Sequence, residues 1–240
     1  AEHVRAYLVI DGQGRFDQIE VDGHIGSSDV FVRFDEEGNA EGKRTFRMKT
    51  EDAGALLKAF GVYDNVIGGT MIIYGEPMHR FQDRNIRGRA EIADFKVVKA
   101  PALTKLLLLL SLGGITEALS NEGLHFDKME VDFSWLYRKG GSLLELEDGR
   151  TSGNTLGILF EGTFDNQKRE VDVSGTIAPM DTLNKVLSKI PLLGNLLTGG
   201  EGRGVFAATY SIKGSSEEPV ITVNPLSVLT PGILRRILWE

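Results

Sequence analysis

The chain contains no cysteine, an absence that removes disulfide bridges, thiolate metal sites and a cysteine nucleophile together. Histidine is scarce: His3, His24, His79 and His125 lie far apart, and no pair at i, i+4 flanks a glutamate as a zincin motif requires. Basic residues number 27 against 34 acidic ones, and the net charge of -7 excludes a broad electrostatic footprint for nucleic acid. Long apolar runs are missing too. Between Pro101 and Leu119 the greasiest stretch is broken by Lys105, Gly113, Gly114 and Glu117, whereas a spanning helix needs ~20 nearly uninterrupted apolar residues. No basic leader with an apolar core follows Ala1, so any targeting segment is expected to have been removed or to lie upstream, and the chain reads as a mature chain or a piece of a longer protein.

What is abundant is glycine, 29 residues of 240, with hydrophobic residues at 41% and charged ones at 25%. That composition describes a globular chain rich in tight turns. Period-two alternation dominates it. From Met129 through Val131, Phe133, Trp135 and Tyr137 every second residue is large and apolar, while Lys128, Glu130, Asp132 and Ser134 between them are polar, the pattern of a strand with one wet and one greasy wall. Val30, Val32 and Phe34 alternate in the same way, and further strand signals fall near 4–10, 15–22, 43–49, 69–75, 86–98, 142–147, 154–164, 168–177, 203–213 and 219–223. Short turns such as Asp22-Gly23, Gly140-Gly141, Asp148-Gly149 and Asp165-Asn166 separate them, which favours antiparallel neighbours. Within 86–98 the apolar phase moves from Ile92 to Phe95, predicting a bulge near Ala93-Asp94.

Four segments break the strand rhythm. Thr50 is placed to cap a helix with Ala53, Leu56, Leu57 and Phe60 on its apolar side, and Pro101 opens a second over Leu103–Leu112, stopped by Gly113-Gly114, with a further turn expected through Ala118. A third is expected after Pro179 through Ile190, where Pro191 breaks it, and a fourth from Pro231 to the end. No repeat and no linker divides the chain, so one domain over 1–240 is expected.

Catalytic constellations are absent from the pattern. Gly199-Gly200-Glu201-Gly202-Arg203-Gly204 lacks a GKS or GKT ending and precedes a strand, so it reads as a turn; no G-x-S-x-G elbow is present; Asp11–Asp17 lacks the ligands of a calcium loop. Acid pairs such as Glu130/Asp132 and Glu145/Glu147 could flank a glycosidic bond, but an acidic sheet surface produces them without function. The expectation is therefore a non-enzyme with no metal ligands and no cofactor. Grease is placed where catalysis does not need it. Leu106 to Leu110 cover every side of a helix, which must be surrounded by its own core or by an apolar ligand. At the C-terminus Ile233, Leu234, Ile237 and Leu238 form a stripe beside Arg235 and Arg236, with Trp239 at its end, a pattern that suits either a membrane surface or packing on the sheet.

Several ordered blocks resemble a known family. Ile190–Gly200, Gly204–Tyr210 and Val223–Arg235, with Gly54–Asp64 and Asp94–Leu106 upstream, are similar to the C-terminal region of AsmA-like bacterial envelope proteins of the YhdP type, over residues 50–236. The resemblance implies a mainly β, antiparallel, strongly curved taco- or U-shaped sheet with a few short helices capping or lining one end. It also implies a periplasmic, inner-membrane-anchored lipid-transport protein whose anchor is absent here, with phospholipid moving between inner and outer membranes through a hydrophobic groove. On this reading Leu106, Leu107, Leu109, Leu110, Met129, Val131, Phe133 and Trp135 face lipid. Ile233, Leu234, Ile237, Leu238 and Trp239 meet a membrane surface, that of the outer membrane, with an envelope protein as a further partner. The competing expectation is a structural or protein-interaction cap domain of the envelope that conducts no lipid.

Overall fold

The computed structural model describes residues 2–10, 12, 16–26, 28–35, 44–59, 63–78, 85–110, 112–180 and 207–226. Twelve strands follow one another: β1 Glu2–Ile10, β2 Phe16–Ile25, β3 Ser28–Asp35, β4 Thr45–Thr50, β5 Val66–Pro77, β6 Ile86–Val97, β7 Leu124–Arg138, β8 Gly141–Ser152, β9 Leu156–Asp165, β10 Glu170–Pro179, β11 Ala207–Ser215 and β12 Val220–Leu226. Among the described residues three short helices interrupt them: α1 Ala53–Ala59 between β4 and β5, and α2 Pro101–Leu109 with α3 Gly113–Asn121 between β6 and β7. All twelve strands form a single antiparallel sheet whose spatial order is the chain order, and β1 and β12 do not pair with each other, so the sheet is not closed. The mainly β, antiparallel expectation is met.

The sheet cannot be flat. Six strand spacings of ~4.8 Å separate β6 from β12, about 29 Å along a flat ribbon. Yet α2 leaves the end of β6, is only about 14 Å long at 1.5 Å per residue, and packs against β12. The ribbon must curl to bring its last strand there. Glycine permits the bending. A Cβ on Gly88 would lie 2.0 Å from the Tyr74 carbonyl oxygen, and one on Gly175 would lie 1.9 Å from that of Leu159. In an unbent sheet a side chain points away from its neighbour's carbonyls, so these approaches mark creases where the sheet folds toward one face. Tyr210 covers the second crease: it reaches over Gly175 and its hydroxyl donates to the Leu159 carbonyl at 3.1 Å. Burial pushes its phenol well above the ordinary tyrosine value.

Several local expectations are corrected. The phase shift in β6 is real but is not a one-residue insertion: Asp94 takes a left-handed φ of 57° opposite Gly69 at 88°, both drop out of the ladder, and the register continues unchanged. The bulge falls instead in β8, where two residues, Glu147 and Asp148, oppose Glu161 of β9 alone. Asp148-Gly149 is therefore the interior of a strand and not a turn. α2 ends earlier than expected, at Leu109, and the further turn expected through Ala118 is α3, which Gly113-Gly114 opens and which runs to Asn121. At α1 the cap is Asp52, whose carboxylate accepts from the Ala55 amide at 2.9 Å, while Thr50 accepts from Asp52 itself. The helices expected after Pro179 and Pro231 and the glycine turn at 199–204 lie outside the described residues.

The core is continuous from β3 to β12, and its best-buried members gather where the helices sit. Ala53 and Leu56 of α1, Leu106 and Leu107 of α2 and Leu119 of α3 join Met71, Ile92, Ile177 and Ile221 of the sheet, and Phe95 stacks on Phe126 with ring centroids 5.4 Å apart. Replacing Gly175 with Ala is expected to cost about 2–4 kcal/mol, because a new methyl must displace backbone. Gly114→Ala, where a Cβ would meet no atom within 4 Å, is expected to be neutral or to stabilise by up to ~1 kcal/mol. Urea midpoints of the two variants check this contrast.

A candidate apolar trough

Antiparallel pairing fixes which side chains share a face. Starting from Leu8, direct partners run Ile19, Phe34, Phe46, Gly75, Gly88, Phe133, Leu146, Gly162, Val173, Ile212 and Ile221, one residue from every strand and none of them polar. One residue earlier on β1, the row starting at Tyr7 lies on the opposite face: Glu20, Arg33, Arg47, Tyr74, Arg89, Asp132 and Glu147. The period of two in the sequence thus becomes one apolar wall across the whole ribbon, backed from β2 to β8 by a row that is mostly charged. Because the Gly88 and Gly175 creases both lie in apolar rows, the sheet folds toward its apolar side, which becomes the inside of a trough.

Burial changes along the strands. A row two positions beyond a crease, Val30, Thr50, Met71, Ile92, Met129, Ile158 with Ile177 and Ala208, is mostly buried beneath α1, α2 and α3. In the central row Phe34, Phe46, Phe133, Leu146, Val173 and Ile212 are all half-buried. At the far end the row Pro77, Ile86, Trp135, Leu144, Phe164 and Val171 opens further, with Trp135 43% and Phe164 37% exposed. One end of the trough is plugged by helices and the other presents aromatic rings. From Ile92 to Ile86 the wall is six residues deep, about 20 Å at ~3.4 Å per residue, which exceeds the ~15 Å depth of one leaflet of a bilayer's hydrocarbon core.

The eight residues expected to face lipid divide accordingly. Met129, Val131, Phe133 and Trp135 do share the apolar wall, although Val131 is buried and only the last two approach the open end. Leu106 and Leu107 are corrected: at 3% and 0% exposure they are the plug, packed against the protein's own core, and they offer no surface to a ligand. Leu109 turns outward and Leu110 is half-buried. Ile233, Leu234, Ile237, Leu238 and Trp239 lie outside the described residues. The sequence reading missed Phe34, Phe46, Leu144, Leu146, Phe160 and Phe164, each carrying an alternation signal on its own strand but assembled into one wall only by register.

The outer wall is held by ion pairs. Arg33 bridges Glu20 and Asp22 at 3.0 and 2.9 Å, Arg47 reaches Asp35 at 2.7 Å, and Arg89 grips Asp132 with two bonds of 2.6 and 2.9 Å. A hollow of about 220 Å³ at the β8 bulge is lined by Arg89, Glu130, Asp132, Asp148 and Arg150 together with the apolar Val131 and Leu159. Hydrogen bonding from Arg89 holds the Asp132 carboxyl below the usual range. Burial works against the Glu130 charge, but Lys128 and Arg150 outweigh it, and that carboxyl too is lowered. Neither member of this acid pair keeps a proton to donate near neutrality, so this pair itself offers no general acid. Among the described residues no group of three or more His, Asp or Glu side chains is placed to hold a metal ion.

The geometry defines a class: an open, single-layer antiparallel half-pipe with an apolar interior, a charged exterior and a helical plug. Compared with protein-family models, curated proteins and solved structures, the chain matches none.

Since the native Asp132 carboxyl titrates below its unfolded value of about 3.9, its stabilisation is fully present above that pH and is lost as pH falls through the folded value. The gap in urea midpoint between the native chain and Asp132→Asn is expected to hold steady from pH 7 to 5 and to close between pH 4 and 2.

Proposed function

We propose that the chain is a non-enzymatic lipid-holding domain, in which the apolar trough receives acyl chains at its open end while head groups stay at the wet rim. The observation that carries this is the unbroken twelve-strand apolar row, half-buried where the helices do not reach. Each methylene removed from water is worth ~0.8 kcal/mol, so a two-chain lipid is held without a charged pocket or a reactive side chain. Exposed apolar surface on this scale otherwise invites aggregation, and a bound hydrocarbon relieves it. Taken with the family resemblance, the proposal assigns the domain to a phospholipid-conducting bridge in the bacterial periplasm, between inner and outer membranes, with the outer membrane and an envelope protein as partners.

A second reading draws on the plug. Leu106 and Leu107 fill the trough at one end, as a terminal cap would, and a cap that conducts nothing would still serve as an envelope scaffold. Both readings meet in one experiment. Purified protein is extracted with organic solvent and the extract examined by mass spectrometry, with Phe133→Asp and Leu146→Asp in parallel. Lipid conduction expects recovered phospholipid in the native chain and at least a tenfold loss in the variants; equal, negligible recovery from all three chains would leave the scaffold.

A further inference from the structure

We propose that the corner between α2 and α3 is a wedge that dips into the face of a lipid bilayer; this rests on the lipid-holding reading and adds to it the end of the trough that meets the membrane. α2 divides its leucines. Leu106 and Leu107 point into the core, while Leu108 and Leu109, the next two residues, are 59% and 51% exposed. Beyond them Leu112 and Ile115 are half-buried and Gly113 and Gly114 are exposed, with no atom within 4 Å of where their side chains would be. From Leu106 to Thr116 the sequence carries no charge at all, in a chain whose net charge is -7.

A projecting corner of this kind differs from a docking groove. A protein partner would need a complementary hollow, whereas the hydrocarbon boundary of a bilayer accepts any uncharged apolar point to a depth of ~5–10 Å. No helix among the described residues is long and apolar enough to cross a membrane, so the corner can only lie at the surface. Nor does attraction to anionic lipid explain it, because Lys105 on α2 and Glu117 on α3, both exposed, leave the two helices with no net charge. The wedge therefore works by apolar insertion, with little dependence on salt. Its position gives it a role: the same helix turn that exposes Leu108 and Leu109 places Leu106 and Leu107 in the buried core shared with Ile92, Ile177 and Ile221, with α2 packed on β12. Contact with a bilayer at the corner thus bears directly on the plug.

The test uses the full 240-residue chain and vesicles of pure phosphatidylcholine. Because the chain has no cysteine, Leu109→Cys carries a single environment-sensitive fluorophore, with Thr222→Cys on the charged outer wall as the control. Blue-shifted emission at position 109 and none at 222, together with at least a tenfold loss of vesicle flotation in a Leu108→Glu, Leu109→Glu double variant, is the expected result. Unchanged flotation of the double variant, or a label at 109 that stays in water, overturns the wedge. A vesicle-free dimer that the double variant dissolves overturns it in favour of a second copy. Loading of a fluorescent fatty acid in solution is measured on the same variants. A double variant that loads normally but no longer floats supports the wedge, while failure of the native chain to load at all counts against the trough and not against the corner.

Discussion

A β-sheet that is apolar on one face must have that face covered, and every other feature of this structure answers to that requirement. Three helices of seven and nine residues cover one end of the twelve-stranded ribbon. They bury the row containing Met71, Ile92 and Ile177 and leave the rows of Phe133 and Trp135 half-open. Helix length sets this limit. Two nine-residue helices reach about 14 Å each, less than the depth and much less than the width of the wall they would have to cover.

Curvature is the sheet's own contribution to covering itself. Bending toward the apolar side brings the facing walls closer and reduces the hydrocarbon surface left to water. It requires positions without a side chain at the creases, which Gly88 and Gly175 supply, and it spreads the strands on the outside of the bend. There the charged wall helps: cross-strand pairs such as Arg89–Asp132 and Lys213–Asp172 span neighbouring or near-neighbouring strands on the convex face. Each exposed pair is worth ~1 kcal/mol or less, so these bonds guide register and solubility more than they supply stability. The bulge at Glu147 and Asp148 adds twist at the middle of the ribbon.

Much of this was legible in the residues. Alternation such as that from Met129 to Tyr137 locates strands reliably, because the period of two is imposed by the pleat. What could not be read was register. The row from Leu8 to Ile221 is a property of eleven pairings, and a slip of one residue in any of them would break it. The split within the leucine run was hidden for a similar reason: five identical side chains carry no periodicity, so only the packing of α2 on the sheet decides that Leu107 faces in and Leu109 out. The β6 phase shift was visible, but a left-handed Asp94 facing Gly69 and a one-residue insertion leave the same trace in sequence.

The central claim is that the far end of the apolar wall takes up hydrocarbon, and Trp135 sits at that end. With Trp239 replaced by Phe, Trp135 is the chain's sole tryptophan, and its fluorescence is followed as a fatty acid brominated along its chain is added. The account predicts saturable quenching with a blue shift, lost when Phe133 becomes Asp. Emission that remains unquenched and water-like, in a protein whose circular dichroism shows the sheet intact, would contradict it.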